Sequence, residues 1–168
     1  MKILHVFLFI FFFLIIKSSL FAEKNEPFDG TGGREDLSFL KAKNSNFKKG
    51  KDAFKQSEKY RKKNKLKKSK KRLNDAINYF ILAHENYPNN PEILSYLGLT
   101  YGKAGDLIMS EIYYQEALLL VPKDIIINFN LGKLYFNSNR IKLAQERLEV
   151  LKYCNCQKYQ DLKNIIKN

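Results

Sequence analysis

The amino-acid sequence predicts an all-α fold made of helical hairpins in series. From residue 46 onward, apolar residues recur at steps of three and four, which is the spacing of one helix face. Breakers such as Pro88 and Gly105 separate the periodic segments. The motif Leu-Gly-x-x-Tyr occurs at positions 97–101 and again at positions 131–135. A repeated helical unit explains all three observations.

The N-terminal segment, positions 1–22, has a composition of its own. Lys2 is followed by an apolar run from Ile3 to Ile16, and then by small and polar residues that end at Ala22. This order is typical of a secretory signal peptide, so we expect cleavage after Ala22 and an exported, periplasmic protein. The alternative is an uncleaved N-terminus that anchors the chain to the inner membrane, although the run is shorter than the roughly 20 residues of a spanning helix.

Two further segments complete the predicted organisation. Residues 23–45 are expected to form a flexible tether, since 23–36 hold a proline, three glycines and mixed charges without an apolar period. Residues 46–168 are expected to form one helical domain, since a chain of 168 residues has room for about one domain.

The first hairpin of this domain is predicted from apolar stripes and a turn residue. Phe47 and Phe54 indicate a first helix, with its turn at Asn64. The second helix is expected to start near Leu66 and to stop before Pro88, because the residue ahead of a proline avoids the helical region.

The later helices are predicted from their ends. Asn90, Asp106 and Asp124 are expected to cap three helices, since each side chain can accept a hydrogen bond from a free backbone N–H. Gly105 is expected to end one of them in the left-handed conformation. Two more helices follow, the partner helix and a closing helix at 157–167, and their apolar positions are Ile141, Ala144, Leu148, Leu151, Tyr159, Leu162 and Ile166.

The positive charge is concentrated in residues 48–72. This segment holds 14 basic and 2 acidic residues, whereas the whole chain has 30 basic and 17 acidic ones. Two interpretations stay open: a solvated helix face, or contact with an anionic partner, which would be a membrane surface of anionic headgroups or an acidic protein. Because lysines dominate the segment and its few arginines and aromatics are not interleaved in a way suited to stacking on bases, we expect no nucleic acid partner.

No group of residues suggests catalysis. After the leader, the one histidine is His84, which lies on a predicted helix without a second ligand at metal-binding spacing. The glycines at 30–33 precede no strand–helix junction that would hold a phosphate. We therefore expect a chain without enzymatic activity, cofactor or metal.

Cys154 and Cys156 are the one pair with possible chemistry. In an oxidising compartment they would form a disulfide, and Asn155 tolerates the unusual backbone that so tight a loop requires. Free packed thiols, a soft-metal site and a redox-active dithiol are the alternatives.

Residues 91–124 resemble a tetratricopeptide repeat, a helix pair of about 34 residues. The matching positions are Leu94, Leu97, Gly98, Tyr101, Gly105, Tyr114, Ala117 and Pro122. Leu94 stands in place of the family's tryptophan, and Ser110 in place of its alanine. Residues 57–90 match only in their second half, and 125–158 match in part, with Asn128 at a normally apolar position.

This resemblance implies an α–α superhelix of hairpins with a C-terminal capping helix. It also implies that the first helix of each pair lines a concave groove for a peptide or protein partner, so that the chain would act as an adaptor or scaffold. The expected groove residues are Glu92, Ser95, Leu99, Gly102, Lys103, Ile126, Phe129, Lys133, Phe136 and Asn137.

An apolar stripe flanked by Lys103 and Lys133 favours an extended or helical peptide with acidic character. The alternative is that the closing helix or the tether covers Phe129 and Phe136. More loosely, the end of the chain resembles small exported tetratricopeptide proteins of alphaproteobacteria that carry a C-terminal cysteine pair.

Overall fold

The computed structural model describes residues 37–167, with side chains from Ser45 onward. These residues belong to one compact unit, Glu35–Asn168. The helices in this part are α1 Leu37–Lys62, α2 Leu66–Asn86, α3 Pro91–Ala104, α4 Leu107–Leu120, α5 Ile125–Asn137, α6 Ile141–Leu151 and α7 Gln157–Lys167. The described residues contain no strand, which confirms the all-α prediction.

The predicted N-terminal segments fall largely outside this range. The leader at 1–22 and residues 23–36 of the tether lie outside the described residues. Helix α1 begins at Leu37, so residues 37–45, which we expected to belong to the tether, are helical. This corrects the expected start of the helical domain.

The helices pack as three hairpins and a closing helix. Helices α1 and α2 form the first hairpin, α3 and α4 the second, and α5 and α6 the third, while α7 packs against both helices of the third hairpin. Neighbouring hairpins meet through α2 with α3 and through α4 with α5. The predicted series of hairpins is therefore confirmed.

Three helices start at the predicted caps. The Asn90 side-chain oxygen accepts hydrogen bonds from the N–H groups of Glu92 and Ile93, at 3.0 and 3.2 Å. The Asp106 carboxylate accepts one from Met109 at 3.0 Å, and the Asp124 carboxylate one from Ile127 at 2.8 Å. These bonds satisfy backbone donors that the helix itself leaves without a partner.

The core forms a seam that each hairpin shares with the next. One cluster joins the first and second hairpins: Ala53, Ala76, Phe80, Ala83, Ile93 and Leu97. A second cluster joins the second and third hairpins: Leu94, Tyr114, Ala117, Ile127, Leu131, Leu134, Tyr135 and Ala144. A third joins α5, α6 and α7 through Phe129, Leu151 and Leu162. Each hairpin thus depends on its neighbour to bury its apolar face.

Glycine allows the two helices of a hairpin to approach closely. A Cβ atom built on Gly98 would lie 2.8 Å from the Tyr114 ring, and one built on Gly50 would lie 2.5 Å from the Phe80 ring. Gly50 is therefore the counterpart of Gly98, although the repeat period would place that glycine at position 64. The first hairpin extends from Leu37 to Asn86, which corrects the repeat expected at 57–90.

Asn128 replaces an apolar side chain without leaving a buried polar group unpaired. Its side-chain amide donates to the carbonyl oxygens of Pro122 and Asp124 at 3.0 and 2.8 Å. Its side-chain oxygen accepts a hydrogen bond from Arg147 at 3.4 Å. Asn128 is fully buried, so these bonds fix the connection between α4 and α5.

Two further properties concern residues 37–167 only. None of these helices is both long enough and apolar enough to cross a membrane. In the same part of the chain, no three His, Cys, Asp or Glu side chains come together in a way that could hold a metal ion.

Candidate functional site: a groove along the first helices of the hairpins

A cavity of about 610 Å³ lies between the first helices of the three hairpins. Its lining residues come from α1, α3, α5 and the connection that precedes α5: Lys51, Asp52, Phe54, Lys55, Pro91, Glu92, Ser95, Tyr96, Leu99, Val121, Asp124, Ile126, Ile127 and Asn130. The cavity is thus built by the first helices of the three hairpins, whereas the expected groove residues lay on α3 and α5 only.

Aromatic rings support one wall of this cavity. The Tyr96 ring lies 5.2 Å from the Phe80 ring and 5.5 Å from the Phe47 ring, measured between centroids. The Phe54 ring meets Tyr96 edge-on at 6.4 Å. Offset and edge-on contacts at these distances are favourable for aromatic pairs, so the wall is held in place by the core behind it.

Apolar side chains opposite this wall remain accessible. The Ile126 side chain is 50% exposed although it lines the cavity, and Leu99 is half-buried beside it. Exposed aliphatic groups inside a concave site gain free energy when a ligand covers them. The larger cavity is therefore suited to an apolar side chain of a partner.

Charges of both signs lie at the rim of the larger cavity. Lys51 approaches Glu92 with an N–O distance of 3.8 Å and also lies over the Phe47 ring, 4.3 Å from its centroid. Lys55 and Asp52 lie on the same helix. With Asp124, the lining residues include three carboxylates and two lysines, so this cavity does not by itself select an acidic partner.

A second cavity of about 220 Å³ continues along the same face. Among the described residues that line it, the charged ones are Lys103 and Lys133, and no carboxylate is present. Lys103 lies 3.8 Å from Glu58. A hydrogen bond from Arg61 lowers the pKa of Glu58, and the charge of Lys103 adds to this effect. This end of the groove is the one suited to an acidic group.

Leu99 and Asn130 line both cavities. Tyr114 also lines the smaller cavity, and burial raises the pKa of its hydroxyl. Asn130 therefore places one polar group where the two cavities adjoin. The sequence analysis did not identify it, because a single asparagine on a helix has no distinctive pattern.

Most of the expected groove residues do lie together. Glu92, Ser95, Leu99 and Ile126 line the larger cavity. Gly102, Lys103, Lys133 and Asn137 line the smaller one.

Phe129 does not belong to the groove, which corrects the expectation. Its side chain is 8% exposed and packs with Leu151 and Leu162. Lys158 of α7 covers its ring at 4.4 Å from the centroid. For this residue the alternative is right: the closing helix covers it.

Phe136 was also expected in the groove, and this expectation is wrong. It is half-buried and packs against the core cluster shared by the second and third hairpins, and it lines neither of the two cavities. Helix α7 packs against α5, and one face of α5 is thereby used for the core.

The groove also contains residues of α1 that the sequence analysis missed. Lys51, Phe54 and Lys55 line the larger cavity. They stand at the same offsets from Gly50 as Leu99, Gly102 and Lys103 do from Gly98. The available signal was Gly50 itself, which the assumption of a fixed repeat period concealed.

The cysteine pair forms a disulfide. Cys154 and Cys156 are bonded, with their Cα atoms 5.2 Å apart, which is within the usual range for disulfides. Asn155 between them has a φ of 46°, in the left-handed region that asparagine tolerates. The loop lies between α6 and α7, and Cys154 packs against the cluster under the closing helix.

His84 is a packing residue of the seam. Its ring meets the Tyr113 ring edge-on, with centroids 6.1 Å apart. It lines neither cavity of the groove.

Comparison with known proteins supports the fold. No protein-family model matches the chain. One curated relative is the anaphase-promoting complex subunit CDC16 of Saccharomyces cerevisiae, 35% identical over 80 residues, which cover 43% of this chain and 9% of that protein. The chain thus corresponds to only a small part of this relative.

Three solved structures share the architecture. The first TPR of Spaghetti (RPAP3), bound to the HSP90 peptide SRMEEVD, is 18% identical with a TM-score of 0.52, over 72% of this chain and 93% of that one. The Sgt2 TPR domain from Aspergillus fumigatus is 18% identical, with a TM-score of 0.54 over 70% and 76%. The Arabidopsis OM64 TPR domain is 14% identical, with a TM-score of 0.54 over 73% and 97%.

These similarities define the class of the molecule. The described residues form an array of helical hairpins with a groove along one face. The fold is that of tetratricopeptide repeat domains.

Proposed function

We propose that this protein is a periplasmic adaptor or scaffold that binds a peptide segment of a partner protein in the groove between α1, α3 and α5. The observation that carries the proposal is the pair of adjoining cavities, one apolar and one basic, on the face built by the first helices. The structural neighbour that holds a peptide supports the same use of the fold.

The two cavities suggest the chemistry of the ligand. An apolar side chain of the peptide would contact Leu99 and Ile126 in the larger cavity. A carboxylate would lie near Lys103 and Lys133 in the smaller cavity, and Asn130 between them would bond the peptide backbone. The proposed ligand is therefore a short segment with an apolar residue followed or preceded by an acidic one.

A peptide-display library tests this proposal with a matched control. We expect the protein to select peptides of this composition, and Ile126→Asp to weaken their binding at least about tenfold, because a desolvated carboxylate would face the apolar side chain. Ile108→Asp is the control, since Ile108 is 74% exposed and lines neither cavity. Equal effects of the two substitutions would contradict the proposal.

The periplasmic location is a separate part of the proposal. It is supported by the order of residues 1–22, a lysine, an apolar run and a small residue at position 22. Cell fractionation and N-terminal sequencing would test it, and we expect a mature chain that starts at Glu23. A chain that keeps Met1 and remains in the membrane fraction would favour the anchored alternative.

A second candidate function concerns another surface, the basic segment at residues 48–72. One observation favours contact of this segment with anionic lipid headgroups: most of its lysines lie exposed near the turn of the first hairpin.

A further inference from the structure

Beyond the point where its two helices cross, the first hairpin is longer than the second by about two turns in each helix. Gly50 meets Phe80 where α1 and α2 cross, and Gly98 meets Tyr114 where α3 and α4 cross. Relative to this crossing, α1 ends six residues later than α3, and α2 begins seven residues earlier than α4. We call the additional segment, residues 57–72, the arm; seven residues of helix correspond to roughly 10 Å.

The arm has its own internal contacts. The Ser69 hydroxyl donates to the Ser57 carbonyl oxygen at 3.0 Å, and both serines are buried between the helices. Asn64, at the turn, has a φ of 53°, and the Lys65 N–H donates to the Tyr60 carbonyl oxygen at 2.9 Å. The arm is therefore an ordered helical extension.

The arm carries ten basic side chains and one acidic one. Its two arginines form ion pairs, Arg61 with Glu58 at 3.0 Å and Arg72 with Asp75 at 3.1 Å. Among the described residues, no carboxylate is paired with any of its eight lysines, which are all exposed. One of these lysines, Lys68, lies 6.0 Å from the centroid of the Tyr60 ring, and the salt bridges of the described residues leave the charge of all eight without a carboxylate partner.

The lysines at the N-terminus of α2 are unfavourable for the stability of that helix. Lys65 occupies the N-cap of α2 and makes no capping hydrogen bond, and the first turn has no acidic residue. Lys67 and Lys68 follow in that turn. Cations at a helix N-terminus are unfavourable, because the backbone dipole is positive there. Helix stability therefore does not explain the charge, and a departure from local rules often marks a functional surface.

We propose that the arm is a second binding site, which docks the protein on a bilayer surface that contains anionic phospholipids. The arm lines neither cavity of the groove, and its lysines are all exposed, so it suits an extended anionic surface better than an inserted peptide. Six lysines lie within four residues of Leu66 in the sequence, and the Leu66 side chain is 62% exposed. Exposed lysines attract headgroup phosphates, and an exposed leucine among them can enter the interface.

Other anionic partners fit the arm less well. Single-stranded nucleic acid binds through stacking aromatics and through arginine, but Tyr60 is half-buried and both arginines are engaged by carboxylates. The inference narrows the second candidate function to residues 57–72. It does not depend on the groove, so either proposal can fail alone.

Vesicle co-sedimentation tests the arm. The chain from Glu23 onward is used, because all described helices lie in the compact unit that starts at Glu35 and the leader could bind lipid itself. We expect binding to phosphatidylcholine vesicles that contain phosphatidylglycerol, no binding to phosphatidylcholine alone, and loss of binding at high salt. Replacing Lys62, Lys63, Lys65, Lys67 and Lys68 by Gln should lower the partition coefficient about fivefold for each lysine.

A matched variant separates the arm from net charge. It carries Lys123, Lys142, Lys152, Lys163 and Lys167→Gln, which removes the same charge elsewhere, and we expect it to lose less than about tenfold. Equal losses in the two variants would overturn the proposal. So would the absence of vesicle binding, or tighter binding of polyglutamate or single-stranded RNA than of the vesicles. Circular dichroism of both variants must match the parent protein.

The leucine is tested separately from the lysines. Leu66→Gln keeps the charge and should reduce binding by about tenfold, since it removes one apolar side chain that would enter the interface. An unchanged partition coefficient would overturn the insertion of Leu66.

Discussion

The first and second hairpins use the same crossing with different lengths of helix. In both, a glycine faces an aromatic ring: Gly50 faces Phe80, and Gly98 faces Tyr114. Beyond the crossing, the second hairpin soon turns at Gly105, whereas the first continues for two more turns as the arm. The contact that fixes the helix pair is thus independent of the length of the hairpin beyond it.

This difference separates structural residues from surface residues. The part of the first hairpin near Gly50 packs on the second hairpin and lines the groove. The arm contributes little to the shared core, and ten of its residues carry positive charge. A seam that requires only one crossing for each hairpin allows such an extension without a change in the stacking of the array.

The largest effect should come from removing the aromatic ring at the first crossing. Phe80 is fully buried and contacts Phe47 and Tyr96. We expect Phe80→Ala to lower the free energy of unfolding by about 3–5 kcal/mol, as measured by urea denaturation. A loss below about 1 kcal/mol would mean that the first hairpin is not packed on the second as described.

The next largest effect on stability should come from a substitution at the glycine where the helices of the first hairpin cross. Gly50→Ala should lower the free energy of unfolding by about 1–2 kcal/mol, because a Cβ atom there overlaps the Phe80 ring and overpacking outweighs the gain in helix propensity. Asn64→Gly is the control at the position that the repeat period favours. It should change stability by less than about 0.5 kcal/mol, since a φ of 53° suits glycine. If Asn64→Gly were more destabilising than Gly50→Ala, the repeat expected at 57–90 would be right instead.

A substitution at the N-cap of α2, within the arm, is expected to stabilise the protein. The helices α4 and α5 have aspartate caps, whereas Lys65 occupies this position in α2 without a capping bond. Lys65→Asp is expected to raise the free energy of unfolding by about 1 kcal/mol, while it weakens vesicle binding. A variant that is less stable would indicate that the lysines support the fold.

The smallest expected effect on stability at neutral pH comes from the type of aromatic residue at each crossing, which is tyrosine in the second hairpin and phenylalanine in the first. Burial raises the pKa of Tyr114 above its usual value of 10.0, whereas Phe80 cannot ionise. The unfolded chain then releases the Tyr114 proton more easily than the folded one, so stability is retained below about pH 10 and falls as the pH rises above it. We expect Tyr114→Phe to reduce this alkaline loss, measured as the unfolding free energy at about pH 8 and about pH 11.

Other tyrosines contribute to the same alkaline loss. Burial also raises the pKa of Tyr101, Tyr113 and Tyr135, so part of the loss should remain in the Tyr114→Phe variant. An identical pH dependence in the parent and the variant would contradict the burial of Tyr114.

Where the repeat is regular, most positions expected to line the groove do line one of the two cavities. Leu99 and Ile126 lie in the groove, because each belongs to a helix whose start is marked by a proline or an aspartate cap. The prediction was wrong for Phe129, since an exposed stripe and a stripe covered by a later helix have the same spacing. It missed Phe54, because α1 is displaced from the period by the length of the arm.

Local patterns in the chain suffice to predict the helical class, the hairpin order, the caps at Asn90, Asp106 and Asp124, and the cysteine pair at a helix end, because caps, breakers and the helical period act over a few residues. Three other features could be found only from the packing of the helices: Gly50 is the crossing residue, α7 covers Phe129, and the lysines lie on an arm. Each of these depends on which residue lies opposite another on a distant helix, and the length of the intervening turns sets that pairing.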